Sequence, residues 1–308
     1  MPKLMRRAVV AFKQEVTYGV DPTPTGAANA ILVRDLDLTP MEQELASREL
    51  IRPYLGNSED IPVARYMKAA FNVELAGSGT AGTAPAWGPL IMACGFAEAD
   101  GVSDVVYTPK STGFTSGTLY VNIDGVLHEA NGCAGNVAFA LDARSIPMLR
   151  FTFSGLFVPV VDAAAFSPTY TAFKKPVPIN KQYTTLSLHG LAAVVEALQL
   201  DMNNEVPYRN LIGFEGVSVN DRKPGGSITM EMVGVATHNW FSTIDTAGTG
   251  ALQLVHGLTA GNIIQIDAPG VQLVSPRFTN SQGIQMLQAN LKLVPGGSGD
   301  DEITITVK

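Results

Sequence analysis

The sequence predicts a mainly β protein built as two similar halves, on three observations. Apolar alternation with period two recurs along most of the chain, helical periodicity is scarce, and the second half repeats landmarks of the first. Of 308 residues, 16% are charged and 46% hydrophobic, with 30 Gly and 19 Pro, a composition of many turns and of surface given over to protein contacts. The length is about twice that of a usual domain, so two core-forming units are expected.

Residues 1–30 hold few apolar alternations and several turn pairs, Tyr18-Gly19, Asp21-Pro22, Thr23-Pro24 and Thr25-Gly26. They read as an extended N-terminal arm that needs a surface to lie on. Residues 31–157 form the first unit, with strand patterns at 32–38, 71–75, 118–123, 137–141 and 149–153. Inside it, residues 39–52 mix charges with leucines and read as a long, contact-making loop. Residues 158–182, carrying Pro159, Pro168, Pro176 and Pro178, read as a linker. The second unit, 183–308, resumes the alternation at 186–188, 197–202, 217–219, 228–232, 263–266, 271–274, 285–293 and 303–307. About one short helix is expected per half: 86–93, entered through Thr83 and closed by Gly95, and a turn around 240–246.

The internal repeat is the most informative feature. Residues 64–77 align with 221–234, matching Arg65 with Arg222, Glu74 with Glu231 and Gly77 with Gly234. Trp87 and Trp240, the only tryptophans, each stand eight residues before a glycine, Gly95 and Gly248. Pro53-Tyr54 matches Pro207-Tyr208, and 149–153 at the end of the first half resembles 303–307. The excursion from Asp37 to Pro53 is ten residues longer than that from Asp201 to Pro207.

Several chemistries are disfavoured. With 21 Lys+Arg against 28 Asp+Glu, a formal charge of −7 and a pI near 5.1, the chain is not composed to grip nucleic acid. No apolar run approaches the roughly 20 residues of a membrane span, and the run 8–12 is too short for a secretory core. Cys94 and Cys133 lack a Cys-x-x-Cys spacing and are expected as buried thiols. Gly77-Ser78-Gly79-Thr80-Ala81-Gly82 fits G-x-G-x-x-G, but Pro85 and Pro89 interrupt the helix a dinucleotide site requires, so a flexible connection is expected. His128, His189, His238 and His256 show no metal-ligand spacing, and no nucleophile elbow is present, so no catalytic, cofactor-binding or metal-binding residue is expected. Asp124-Gly125 and Asn131-Gly132 read as hairpin turns, and Asp300-Asp301-Glu302 as a solvated acidic turn. Glu74 and Glu231 alternate with core residues and are expected on the opposite face, in one shared environment.

Residues 14–24, the block 71–90 that contains Trp87, and residues 147–155 resemble the major tail (tail tube) proteins of long, non-contractile-tailed bacteriophages, the siphoviruses. The resemblance implies a tail-tube-type β-sandwich or barrel and a structural virion protein. Such a protein is assembled in the host cytoplasm and polymerises as stacked rings into the tube through which DNA is ejected. Implied partners are further copies, in trimeric pseudo-hexameric or in hexameric rings, the tape measure protein, and the tail terminator and distal tail proteins. Double-stranded DNA passes transiently and without specificity, which an acidic balance favours; no membrane and no cofactor are implied. On this reading Glu74 and Glu231 line the bore, and Glu42, Glu44, Leu45, Arg48 and Glu49 of the long loop make contacts between rings. Trp87, Trp240, Gly77 and Gly234 mark the core of each repeat. The alternative is a two-domain β-sandwich binding module, an adhesin or carbohydrate-binding protein of a virion or cell surface.

Overall fold

A computed structural model describes residues 2–308. The first half contains β1 (Ala8–Gln14), α1 (Gly26–Asn29), β2 (Ala30–Ile31), β3 (Arg34–Ser47), β4 (Asp60–Glu74), α2 (Gly88–Met92), β5 (Phe96–Asp100), β6 (Val105–Pro109), β7 (Gly117–Ile123), β8 (Val126–Ala140), β9 (Met148–Phe157) and β10 (Val161–Asp162). The second contains β11 (Thr184–Leu188), β12 (Leu191–Ala192), β13 (Val195–Asp201), β14 (Asn204–Glu205), β15 (Tyr208–Leu211), β16 (Phe214–Val217), β17 (Asp221–Arg222), β18 (Gly225–Glu231), α3 (Trp240–Asp245), β19 (Thr249–His256), β20 (Ile264–Ser281), β21 (Ile284–Leu293) and β22 (Thr304–Val307). The molecule is mainly β, with antiparallel pairing throughout and short helices only.

The two halves share one strand order. In the first it is β3-β4-β9-β8-β7-β1-β2. In the second it is β13-β18-β21-β20-β19-β11-β12. Two of the three short α-helices follow the same strand of that order, α2 after β4 and α3 after β18. The long strands β8 and β20 pair first with β7 or β19, then pass a bulge, so each serves two sheets that enclose a core. In the first core Phe12, Phe71, Phe151 and Phe153 pack with ring centroids 5.4 to 5.9 Å apart. Burying each such ring contributes about 1.5–3 kcal/mol.

β1 corrects the expectation of an extended arm without core residues over residues 1–30. Val10, Ala11 and Phe12 are consecutive and all buried, because β1 lies between β2 and β7 and is covered on both faces. A strand buried on both faces carries no alternation, so the pattern that marks half-buried strands misses it. The stretch that follows is fastened too. The Glu15 carboxylate accepts from the N–H groups of Gly19 and Gly132, at 2.8 and 2.7 Å, and from the Ser116 and Thr118 hydroxyls.

Residues 39–52 are also not a loop for most of their length. β3 runs to Ser47 opposite β4, with Glu42 facing Tyr66 and Leu45 facing Pro62, so a two-stranded arm projects beyond the core. From residue 43 to residue 47, β3 is exposed on both faces, which removes the alternation there.

Four further expectations change. Residues 303–307 are not the counterpart of 149–153: β21 takes the place of β9, whereas β22 pairs with β20 and with β6 of the first half. The glycine run 77–82 is a tight junction, not a flexible connection. A Cβ on Gly77 would stand 2.1 Å from the Gly261 carbonyl oxygen, and Gly79 N–H donates to that oxygen at 2.9 Å. Asn131-Gly132 lies within β8 at a bulge, while Asp124-Gly125 does form the β7–β8 turn. Finally, Glu302 is 5% exposed and held by Arg222, so the acidic turn is not solvated throughout.

Candidate assembly surfaces

A seam between β8 and β13 joins the halves, with Gln199, Leu200 and Asp201 opposite Ala140, Phe139 and Ala138. Through it, β3-β4-β9-β8-β13-β18-β21-β20 becomes one eight-stranded antiparallel sheet. Its core face carries residues such as Phe71, Phe151, Leu200, Ile228 and Leu291. The other face is polar, because the alternating positions hold Lys68, Asn72, Arg150, Thr152, Gln199, Thr229, Gln288 and Asn290.

Glu74 and Glu231 occupy equivalent positions in this sheet, at the ends of β4 and β18 and opposite Met148 and Met286. Both are half-buried. The Arg34 guanidinium lies 3.8 Å from the Glu74 carboxylate, and the Glu231 N–H donates to the Val194 carbonyl at 2.8 Å. The face around them is of mixed sign, with Lys68, Arg150, Arg277 and Lys292 set against Asp37, Glu74, Asp201 and Glu231.

The β3–β4 arm carries Glu42, Glu44 and Leu45 on its strand, and Arg48 and Glu49 at its tip. Lys68 lies 3.8 Å from Glu42, and Arg48 pairs with Glu59 across the tip. Exposed pairs of this kind stabilise little. Ile51 and Leu55 at the tip are fully exposed, and Leu45, Leu50 and Tyr54 are largely so. Such a row of apolar side chains on a projecting arm suits burial against another molecule.

The second half has a shorter hairpin, β15–β16, at the corresponding place between β13 and β18, and it folds back onto the first half. Tyr208 stacks on Tyr66 with centroids 4.6 Å apart. Burial, and then its hydrogen bond to Glu215, pushes the Tyr208 phenol up to about 12. The Tyr18 hydroxyl accepts from Val217 N–H at 2.6 Å and donates to the Val217 carbonyl at 3.2 Å. Between the two hairpins lies a cleft of about 430 Å³ lined by Val63, Arg65, Phe157, Asn210 and Glu215.

Arg222 supplies a second clamp. Its guanidinium donates to Glu302, to Asp300 and to the Lys110 carbonyl, at 2.5, 2.5 and 2.8 Å, tying β17 and the C-terminal turn to the end of β6. The Ser111 hydroxyl, then Arg222, then the Ser111 N–H hold the Asp300 carboxyl below its usual range. Sequence alignment marks Arg222 only as the partner of Arg65. The two have different surroundings, since Arg65 is exposed and lies over the Phe157 ring.

The repeat markers are likewise unequal. Trp87 and Trp240 are both buried, but Trp87 donates to the Ala76 carbonyl at 2.8 Å whereas the Trp240 indole N–H has no partner. Gly77 is wedged against Gly261, while nothing lies within 4 Å of a Cβ built on Gly234. Cys94 and Cys133 are free, buried thiols. Among the described residues no group of three or more His, Cys, Asp or Glu is placed to hold a metal, and no helix is long and apolar enough to cross a membrane.

A β-sandwich pair joined into one sheet, with a polar outer face, open ends and a projecting arm, has the features of a structural subunit rather than of a pocket protein. The chain matches the phage tail tube protein family over residues 5–308 and belongs to it. It is therefore a structural component of a virion tail, in a family that self-assembles into a tube. No curated protein matches it.

Proposed function

We propose that the chain polymerises as stacked rings into the tail tube of a siphovirus and forms the conduit for DNA ejection, after assembly in the host cytoplasm. The carrying observation is the eight-stranded sheet made of two four-strand units in the same order. Near-equivalent units in one chain can occupy alternate positions of a closed ring, so three chains form a pseudo-hexameric ring. Six chains per ring is the competing arrangement.

In the three-chain ring the polar face of the sheet lines the bore, with Glu74 and Glu231 on it. Its mixed charge gives passing phosphates no continuous basic track, so few counterions are released and DNA is not retained. The apolar tip of the β3–β4 arm, with Glu42, Glu44, Leu45, Arg48 and Glu49, reaches the neighbouring ring. The tape measure protein occupies the bore before ejection, and the tail terminator and distal tail proteins cap the two ends.

Negative-stain imaging and symmetry averaging of concentrated protein test this reading. Tubes with three chains per ring are expected. A protein that stays monomeric by light scattering at every concentration reached would overturn it, and six chains per ring would overturn the stoichiometry.

A further inference from the structure

The seam inside the chain has a vacant counterpart at the two ends of the sheet. Hydrogen bonds extend the seam beyond the three central pairs. Leu141 and Leu198 exchange N–H···O bonds of 2.9 and 3.3 Å, Ala143 N–H donates to the Glu196 carbonyl at 2.8 Å, and Met202 N–H donates to the Val137 carbonyl at 3.1 Å. Phe139 and Leu200, opposite each other, are 1% and 2% exposed.

The shared register identifies the counterparts. With Glu74 matched to Glu231, Asp37 and Leu38 face Ala70 and Ala69 as Gln199 and Leu200 face Ser227 and Gly226. Asp37-Leu38-Thr39 therefore stands where Gln199-Leu200-Asp201 stands. Met148 and Met286, opposite the two glutamates, match in turn. Phe139 faces Leu149 as Phe278 faces Leu287, which puts Arg277-Phe278-Thr279 in the place of Ala138-Phe139-Ala140.

Both of these counterparts lack a neighbour. Among the described residues β3 pairs only with β4, and β20 beyond Gln272 pairs only with β21. Phe278 shares the core face with buried Leu287, yet it is 54% exposed, with the Phe241 ring set edge-on to it at 6.0 Å between centroids. Its counterpart Phe139 is buried because β13 lies beside it.

We propose that β20 of one copy pairs antiparallel with β3 of the next, in the register that sets Phe278 opposite Leu38 and repeats between chains the β8–β13 seam. This rests on the ring reading above and names its interface. Three features agree with it. Arg277 falls opposite Thr39 and diagonal to Asp37, which brings unlike charges together on the polar face. Pro40 and Pro276 fall opposite each other where Met202 and Val137 stand in the internal seam, so the ladder ends there for want of an N–H. Unpaired strand edges otherwise invite indiscriminate association, and a proline at one end of each limits the registers available.

The test is a pair of cysteines in the full chain, Thr39→Cys with Arg277→Cys. The internal seam makes this a non-hydrogen-bonded pair, with Cα atoms about 4.5 Å apart, within disulfide range. The native thiols are buried and do not compete. Oxidation of assembled tubes is expected to link chains into a covalent ring of three, with no linkage in either single variant. The control Thr39→Cys with Thr279→Cys is out of register and should not link. Tubes that form but link only in the control, or not at all, overturn the proposal. Covalent ladders that run on to six chains keep the seam and overturn the three-chain ring.

A second variant guards against a failure of the cysteine pair to assemble. Phe278→Asp should keep the circular dichroism spectrum and melting behaviour of the parent chain and lose ring formation. Normal tubes from Phe278→Asp overturn the proposal. Absence of tubes from the unmodified chain overturns the ring reading itself.

Discussion

Arg222 ties two acidic groups of the C-terminal turn, Asp300 and Glu302, to the Lys110 carbonyl of the first half. Removing it leaves Glu302 buried and uncompensated, so Arg222→Ala should destabilise by about 3–5 kcal/mol in urea titration, and Glu302→Gln by clearly less. Gly77→Ala should destabilise by about 1–3 kcal/mol or more, because its methyl meets a backbone carbonyl that side-chain motion cannot clear. Gly234→Ala should change stability by less than about 0.5 kcal/mol, since the site is open. Near-equal costs would mean that the first glycine is not wedged as described. The histidines contribute to the loss of stability just below neutral pH. Burial lowers His128, His189 and His256 below their ordinary value of 6.5. The unfolded chain then binds protons at a pH where the folded chain does not. Their contribution is complete above about pH 6.5 and is lost as the pH falls through the lowered values of the folded state. Thermal melts between pH 7 and 5 should show this slope, and His256→Gln should flatten it.

At the scale of elements, β1 and the β3–β4 arm have opposite roles. Deleting residues 2–14 removes Val10, Ala11 and Phe12 from the core, so the product should be unfolded by circular dichroism. Replacing residues 48–59 by Asn-Gly, a turn suited to a two-residue hairpin, should leave the fold and single rings intact and abolish stacking, as read by electron microscopy. Full-length tubes from that variant would remove the arm from the contact between rings. The elements also show where sequence reading succeeds. β4, β9, β18 and β21 are buried on one face and alternate, so they are legible. β1 is buried on both faces and the arm on neither, and each loses its alternation for that reason.

At the scale of the whole molecule, strand count bears on the ring proposed above. Three chains of eight strands, at about 4.8 Å per strand and a tilt of about 40°, close into a backbone circle about 50 Å across. Six chains would give about 100 Å, leaving most of the wall far beyond the screening length of about 8 Å from a duplex on the axis. On the proposed reading, the smaller ring is the one whose wall lies close enough to guide DNA. Replacing Glu74 and Glu231 together by lysine should therefore leave assembly unchanged and slow DNA release, with the delay shrinking as salt rises. Release at the parental rate in low salt would take both glutamates out of the bore.

The sequence by itself determined the β class, the short helices α2 and α3, the buried thiols and the repeat that matches Glu74 with Glu231, because periodicity and local turn chemistry act over a few residues. It also carried the family resemblance, in the block around Trp87. Tertiary structure decided the rest. Whether β21 or β22 takes the place of β9, whether Gly77 is wedged or free, and whether Phe278 is covered like Phe139 all depend on strands far apart in sequence. Alternation assigns a residue to a face of its own strand, but the neighbour that covers the face is supplied by long-range pairing. The seam between β8 and β13, and the two unpaired edges that mirror it, exist only once that pairing is in place.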